Sequence, residues 1–194
     1  MQGGFDMKLK YISGIVLTSV LLVACGNSDE SKEDKDEATG GNKGTSDKVI
    51  TINKVKSNPT DAIKKAQQTY TNQDLKGISF EKSNGKWSYK VEQQGQNEES
   101  EVVIADSNGK VLHKESEKEK DIDKREAFHY DDVIDYKKAI KKGQKEFDGE
   151  IREWSLAKDD GQLVYDMDLS KGQETHEITV DAKNGKVLQN ETDN

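Results

Sequence analysis

The chain contains an internal sequence repeat, and this repeat restricts its folded part to two copies of one small pattern. Residues 108–112 are Asn-Gly-Lys-Val-Leu, and residues 184–188 are the same, at an offset of about 76 positions. The offset also places Tyr89 on Tyr165 and keeps apolar residues on apolar residues elsewhere. Self-similarity at a fixed spacing indicates structural units of the same kind. The sequence therefore predicts two repeated units between residues 49 and 194.

Each unit begins with the pattern of an amphipathic helix. Ile63, Ala66 and Tyr70 share one helical face in the first unit. Pro59 suits the first turn of that helix. In the second unit the helical spacing runs through Val133, Tyr136, Ile140, Gly143 and Phe147. One apolar face per helix indicates that each helix packs against a sheet.

Short strands follow each helix. Apolar residues alternate with polar ones at Ile78 and Phe80, at Trp87, Tyr89 and Val91, and at Val102 and Ile104. This alternation indicates an antiparallel sheet with one packed face and one face toward water. Asn-Gly at 84–85 and Asp-Gly at 160–161 predict hairpin turns, and the Asn-Gly pairs of the repeat predict turns into short final strands, 110–112 and 186–188. We therefore expect an α+β fold of two repeated units, each an amphipathic helix packed on a three- to four-stranded antiparallel sheet.

Cys25, the one cysteine of the chain, lies where a bacterial lipid anchor is attached. It closes a lipobox, Leu-Val-Ala-Cys at 22–25, after a basic start and an apolar segment over 11–24. A helix of about 14 residues reaches roughly 21 Å, which is too short to cross a hydrocarbon core of about 30 Å. The pattern is typical of an export signal. It predicts a signal peptide over 1–24, signal-peptidase cleavage between Ala24 and Cys25, and lipidation of Cys25.

Six residues precede Met7 and interrupt an otherwise ordinary signal peptide. Gln-Gly-Gly at 2–4 can be encoded by a purine-rich ribosome-binding sequence at a suitable distance from Met7. We therefore expect translation to start at Met7, and mapping of the start codon tests this expectation.

The composition divides the rest of the chain into a tether, two units and a connection. Residues 25–48 are rich in Gly, Ser, Asn, Asp, Glu and Lys, which predicts a disordered tether with an average reach of about 25–30 Å. The units are expected at 49–112 and 130–194. A charged linker at 113–129, either solvated or an extended edge, joins them. Two acyl chains on Cys25 give stable attachment, so we expect the folded part near the outer face of the cell membrane.

The charge balance argues against nucleic acid as a partner. The chain has 38 acidic and 30 basic residues and a net charge of −8. Nucleic-acid binding needs basic patches that release counterions. Lysine greatly outnumbers arginine, which is compatible with an AT-rich Gram-positive genome.

The sequence patterns do not favour a catalytic, metal or cofactor site. His113, His129 and His176 are isolated in sequence, whereas zinc needs three or four converging ligands. Residues 159–161, Asp-Asp-Gly, resemble the start of a calcium loop but lack its later ligands, so a turn explains them better. The only cysteine is expected to carry the lipid and is therefore not available as a nucleophile, and no Gly-x-Ser-x-Gly motif is present. We therefore expect no catalytic residue, no metal and no cofactor.

Two groups of side chains have a functional alternative. Asp166 and Asp168 flank Met167 on one face of a strand, where a solvated outer face is favoured over an acidic cation site. The aromatic strand residues are expected in the core rather than along a sugar or peptide groove. They are Trp87, Tyr89, Trp154 and Tyr165.

The order of these motifs resembles the PepSY family. The resemblance covers about 57–112 and 130–188, and its signatures are Ala-Ile-Lys-Lys-Ala at 62–66, Tyr-x-Val at 89–91, Tyr-x-Met at 165–167 and Asp-x-x-Asn-Gly-Lys-Val-Leu at 181–188. In the first unit Asp106 is one position closer to its Asn-Gly pair, a small departure. PepSY domains occur in propeptides of thermolysin-like peptidases and in secreted or membrane-bound bacterial proteins. The resemblance implies a noncatalytic module that restrains or modulates peptidases outside the cytoplasm.

Two classes of function remain open at this point. In the first, a noncatalytic extracytoplasmic lipoprotein binds and modulates a peptidase or another envelope protein, for example by pairing a sheet edge with an extended peptide. In the second, the chain is a structural, sensory, or cation- or ligand-binding envelope lipoprotein unrelated to peptidases. In both classes we expect the protein to be attached to the membrane through its lipid anchor.

Overall fold

The computed structural model describes residues 48–193, which form two helices and one antiparallel sheet. The helices are α1 (Pro59–Thr69) and α2 (Tyr136–Glu146); the strands are β1 (Asp74–Ser83), β2 (Lys86–Gln94), β3 (Glu98–Ala105), β4 (Val111–Lys118), β5 (Glu150–Asp159), β6 (Gln162–Lys171), β7 (Glu174–Asp181) and β8 (Val187–Asp193). All eight strands lie in one sheet, in the order β4-β3-β2-β1-β5-β6-β7-β8. The expected combination of helices with an antiparallel sheet is confirmed. The predicted lipidation and cleavage residues, Cys25 and Ala24, lie outside the described residues, as does most of the predicted tether.

The two halves of the chain meet through β1 and β5. Ser79 lies opposite Ser155, and Phe80 lies opposite Trp154. The sequence offset makes Ser79 and Ser155 equivalent, so this antiparallel pairing relates β1 to β5 by an approximate twofold rotation about that point. The pairing of β1 with β5 places all eight strands in one sheet. The sequence patterns do not predict that strands of the two halves pair with each other.

Each helix begins at a side-chain cap. The Asn58 side chain accepts a hydrogen bond from the Asp61 amide, and Pro59 occupies the first turn of α1 as expected. Asp135 accepts from the Lys137 amide and caps α2. Because the cap sets the start of α2 at Tyr136, Val133 lies before the helix rather than within it.

Both helices cover the same face of the sheet, and an aromatic cluster forms its centre. The Trp154 ring stacks on Tyr136 of α2 at 5.4 Å between ring centroids and lies 6.3 Å from Phe80. Tyr89, Trp154 and Tyr165 are at most 1% exposed. Trp87 is half-buried against the same core. The prediction that these aromatic residues belong to the core is confirmed.

The hairpin turns form where the sequence predicts them, but the final strands are longer than expected. Asn84 and Asp160 have φ angles of 49° and 46°, and each precedes a glycine with positive φ. This left-handed backbone suits two-residue hairpins. The last strand of the first half, β4, extends to Lys118, so it includes residues that the sequence assigns to the linker.

The rest of the connection between the halves is held against the end of the sheet. The Gln94 side chain donates to the Asp123 carbonyl at 3.1 Å, and the Lys158 ammonium donates to the Ala127 carbonyl at 2.9 Å. The Phe128 amide donates to the Leu75 carbonyl, and the Phe128 side chain is buried in the core. Residues 119–128, called the strap below, are therefore held against the sheet by hydrogen bonds and do not form a freely solvated linker.

Candidate binding surface

The sheet has two open edges. The edge strand β4 pairs only with β3, and β8 pairs only with β7. Within residues 48–193, the outer side of each edge strand therefore has backbone N–H and C=O groups without a neighbouring strand. Such an edge is a template for pairing with another extended chain.

Both edge strands carry an exposed leucine at a β-bulge. The pairing register of β3 with β4 shifts between Val103 and Ile104, which leaves Leu112 as the extra residue. The register of β7 with β8 shifts between Thr179 and Val180, which leaves Leu188 as the extra residue. Leu112 is 42% and Leu188 is 36% exposed, and they are the exposed large hydrophobic residues of the described chain. A bulge redirects a side chain, so each edge offers one apolar contact.

The uncovered face of the sheet is polar, and in the first half its charges are paired. The Lys90 ammonium lies 3.2 Å from a Glu92 carboxylate oxygen and 3.8 Å from a Glu101 oxygen. Burial opposes the charge of Lys90, but the two carboxylates raise its pKa overall. Burial raises the pKa of Glu101, and Lys90 partly offsets that rise. This half of the face therefore combines both signs of charge.

The second half of the same face is acidic. Asp166 occupies the position equivalent to Lys90. Its carboxylate accepts a hydrogen bond from the Thr179 hydroxyl at 2.6 Å. Burial raises the pKa of Asp166, the Thr179 hydrogen bond partly offsets that rise, and the charges of Asp159 and Glu177 add to it. Asp166 and Asp168 share this outer face as the sequence predicts, but both are half-buried.

A cleft of about 640 Å³ lies at the end of the sheet beside the strap. Phe128 and Leu163 contribute apolar surface to it. His129, Asp132, Asp160 and Lys183 contribute polar groups. Because these groups carry both signs of charge, the cleft has no clear electrostatic preference for an anion or a cation.

The three histidines lie in separate places. The His113 ring lies 3.4 Å from Glu115 on β4, and His129 lines the cleft. The His176 ring stacks on Phe147 at 4.0 Å between ring centroids. In the part of the chain that the structure describes, no three His, Cys, Asp or Glu side chains form a group able to hold a metal ion. The Asp-Gly pair at 160–161 forms a hairpin turn, as predicted.

Two tyrosines at matched positions of the repeat hold the chain just before each helix, a role that the sequence patterns do not reveal. The Tyr89 hydroxyl donates to the Ser57 carbonyl at 3.1 Å, and the Tyr165 hydroxyl donates to the Ile134 carbonyl at 2.8 Å. Ser57 and Ile134 each directly precede a helix cap. Burial raises the pKa of both hydroxyls, so they remain protonated donors. The occurrence of a tyrosine at the same position in both halves is the sequence feature that could have indicated this role.

Asp106 also has a structural role that its sequence position does not reveal. It is 4% exposed, and its carboxylate accepts hydrogen bonds from the Lys56 amide, the Ser57 amide and the Ser57 hydroxyl. In the second half, the Ile134 amide instead donates to the carbonyl of Ala182. The one-position departure at Asp106 thus replaces a backbone acceptor with a carboxylate.

Comparison with known proteins places a PepSY domain in the second half of the chain. The family described as "Peptidase propeptide and YPEB domain" matches residues 133–191. No curated protein sequence matches the chain significantly.

One solved structure is similar over most of the described chain. It is a crystal structure of a protein from Clostridium difficile 630, described provisionally as a lipoprotein. The two chains are 27% identical with a TM-score of 0.66, and the match covers 75% of this chain and 99% of the other. Between residues 48 and 193, neither helix is long and apolar enough to cross a membrane.

Proposed function

We propose that this chain is a noncatalytic lipoprotein on the outer face of the cell membrane, and that it binds a peptidase or another envelope protein through an open sheet edge. The observation that carries the proposal is the pair of edge strands, β4 and β8, each with an exposed leucine at a bulge. Main-chain pairing at such an edge supplies affinity, and the side chains supply specificity. The PepSY match at 133–191 and the provisional lipoprotein description of the similar structure support this class of protein.

We also propose that residues 49–112 and 130–194 are two units of one kind, joined by residues 113–129. The edge bulges occur at matched positions in the two halves, and so do the bulges in β1 and β5. The Tyr89 and Tyr165 hydroxyls bond to matched carbonyls. These correspondences support a PepSY-like unit in the first half beside the one matched in the second.

Capture of partners tests the binding function. The lipidated protein is cross-linked in intact cells and purified, and its partners are identified by mass spectrometry. A double variant with Leu112→Ser and Leu188→Ser is the matched control, because both residues are exposed and their loss should leave the core intact. We expect an envelope protein, for example a peptidase, to be recovered with the parent chain and depleted with the control. Equal recovery with both chains contradicts edge binding.

The anchor has a separate test. Replacing Cys25 by Ala should abolish lipid labelling and leave an unprocessed or mislocated precursor. Continued labelling of the Cys25→Ala variant contradicts the proposed attachment site.

The second candidate is an envelope lipoprotein that binds a cation loosely at the acidic half of the uncovered face, since the described residues contain no group of three side chains able to hold a metal ion. Asp166 and Asp168 lie on this face, and Glu177 lies directly opposite Asp168 on the neighbouring strand. Calorimetric titration with calcium tests this candidate. Saturable heat that Asp166→Asn removes supports it, and an absence of heat rules out calcium buffering.

A further inference from the structure

The two open edges of the sheet differ in whether their carboxylates have a basic neighbour. This difference indicates which edge is suited to bind a basic segment. In the first half, Glu101 and Glu115 lie directly opposite each other on β3 and β4. Glu101 lies 3.8 Å from the Lys90 ammonium, and Glu115 lies 3.4 Å from the His113 ring. Each carboxylate beside the β4 edge therefore has a basic group within ion-pair distance.

The matching carboxylates of the second half have no such basic group. Glu177 and Glu191 are at the equivalent positions and lie directly opposite each other on β7 and β8. Asp166 replaces Lys90, and Gln189 replaces His113. Among residues 48–193, neither Glu177 nor Glu191 lies within ion-pair distance of a basic side chain. Like charges directly opposite each other destabilise a sheet, so this pair costs stability in the isolated chain.

Glu191 is positioned to contact a side chain of a strand added beside β8. It is exposed on β8 and lies on the uncovered face, because its partner Glu177 lies across from Asp168 on that face. A strand added beside β8 would place one of its side chains directly opposite Glu191, at about 4.5–5.5 Å between Cβ atoms. A lysine or arginine at that place would relieve the repulsion between Glu177 and Glu191. Leu188 offers an apolar contact on the same edge.

We propose that β8 is the docking edge, and that its partner is an extended segment of an envelope protein in which lysine or arginine alternates with uncharged residues. The alternation follows from strand geometry, because every second side chain of the added strand points to the acidic face. This inference rests on the proposed function, since it selects one of the two edges and names the chemistry of the segment that binds there.

Binding of designed peptides to the full-length lipidated protein tests the proposal. The protein is held in zwitterionic detergent, so that the micelle itself does not attract cations. The probe is a capped, fluorescent eight-residue peptide that alternates lysine and valine. One control peptide alternates glutamate and valine. The other has the composition of the probe but groups its four lysines at one end. Fluorescence anisotropy measures each affinity.

Two charge reversals at equivalent positions distinguish the edges. Glu191→Lys changes the β8 edge, and Glu115→Lys is the matched control on β4. Both side chains lie on edge strands, and circular dichroism checks that each variant keeps its fold. We expect Glu191→Lys to weaken binding of the alternating probe by about threefold to tenfold, because an attractive cross-strand pair becomes a repulsive one. Glu115→Lys should change the affinity less than twofold, about the size of a remote charge effect.

Several results overturn the proposal. Equal binding of the grouped peptide means that only net charge matters, and a larger effect of Glu115→Lys assigns the site to β4. Self-association of the parent chain that Glu191→Lys abolishes means that a second copy occupies the edge. If no peptide binds while cells still yield an edge-dependent partner, the assignment of β8 to a basic segment fails and the proposed function stands.

Discussion

At the scale of single residues, a few buried polar contacts fix where each helix starts. Tyr89 and Tyr165 reach from the sheet to the carbonyl just before a helix cap. A buried carbonyl that loses its donor costs more than the average hydrogen bond contributes, because it is left without water as well. The tyrosine signature of the repeat therefore has a structural explanation in this chain.

Replacing Tyr165 by Phe should lower the free energy of unfolding by about 1–2 kcal/mol, because the Ile134 carbonyl loses its donor while the ring still fills the core. Urea unfolding followed by circular dichroism measures the change. Tyr70→Phe is the matched control, since the Tyr70 hydroxyl makes no hydrogen bond with the other described residues. Equal losses in both variants would show that the Tyr165 contact does not stabilise the fold.

At the scale of elements, α2 approaches the sheet closely through a glycine. A Cβ atom at Gly143 would lie 2.5 Å from the Met167 sulfur and 3.6 Å from the nearest side-chain carbons of Ile178 and Leu169. Gly143 belongs to the buried face that the helical spacing predicts. The closeness of the approach depends on β6 and β7, which the helical pattern alone does not describe.

Gly143→Ala should destabilise the protein by about 1 kcal/mol, because overpacking costs about 1–3 kcal/mol and the better helix propensity of alanine returns about 1 kcal/mol. Chemical unfolding measures the loss. In a Met167→Ala background the same substitution should be neutral or stabilising, since the obstructing sulfur is gone. A loss of the same size in both backgrounds would contradict the proposed contact.

The strap is a second feature of the element scale. Its residues are strongly charged, and their composition favours a solvated linker. The structure instead uses backbone carbonyls of the strap as acceptors for Gln94 and Lys158, and buries Phe128. A charge run does not reveal such contacts, because the groups that hold the strap lie on distant strands.

At the scale of the whole molecule, the helix-covered face provides the packed core and the uncovered face carries the charges. Burial raises the pKa of Glu101 and Asp166, and neighbouring carboxylates raise them further. Hydrogen bonds that the His176 ring donates to the Asn190 side-chain oxygen and the Glu174 carboxylate raise the pKa of His176. In each case the folded chain holds its proton to a higher pH than the unfolded chain does.

Stability should therefore rise as the pH falls from 7 toward 5. In this window the folded state binds more protons than the unfolded state, so the free energy of unfolding decreases as the pH increases. Below about pH 4 the trend should reverse, because hydrogen bonds from Asn184 and Lys183 amides lower the pKa of Asp181 despite its burial. Thermal unfolding at each pH measures the profile.

The Asp166→Asn variant identifies the source of this pH dependence. The asparagine oxygen can still accept the Thr179 hydroxyl, while the charge is lost. We expect the variant to be more stable than the parent at pH 7 and to show a weaker rise toward pH 5. An unchanged profile would assign the pH dependence to other groups.

Local features of this chain follow from its amino-acid sequence, whereas the way they combine follows from long-range packing. The hairpin turns at Asn84 and Asp160, the start of α1 at Pro59 and the buried aromatic residues follow from backbone limits and periodicity, which act over a few residues. The pairing of Ser79 with Ser155 and the hydrogen bond from Lys158 to the strap join residues far apart in sequence. Both contacts depend on how β1, β5 and the strap pack against the common core, and no local pattern specifies that packing.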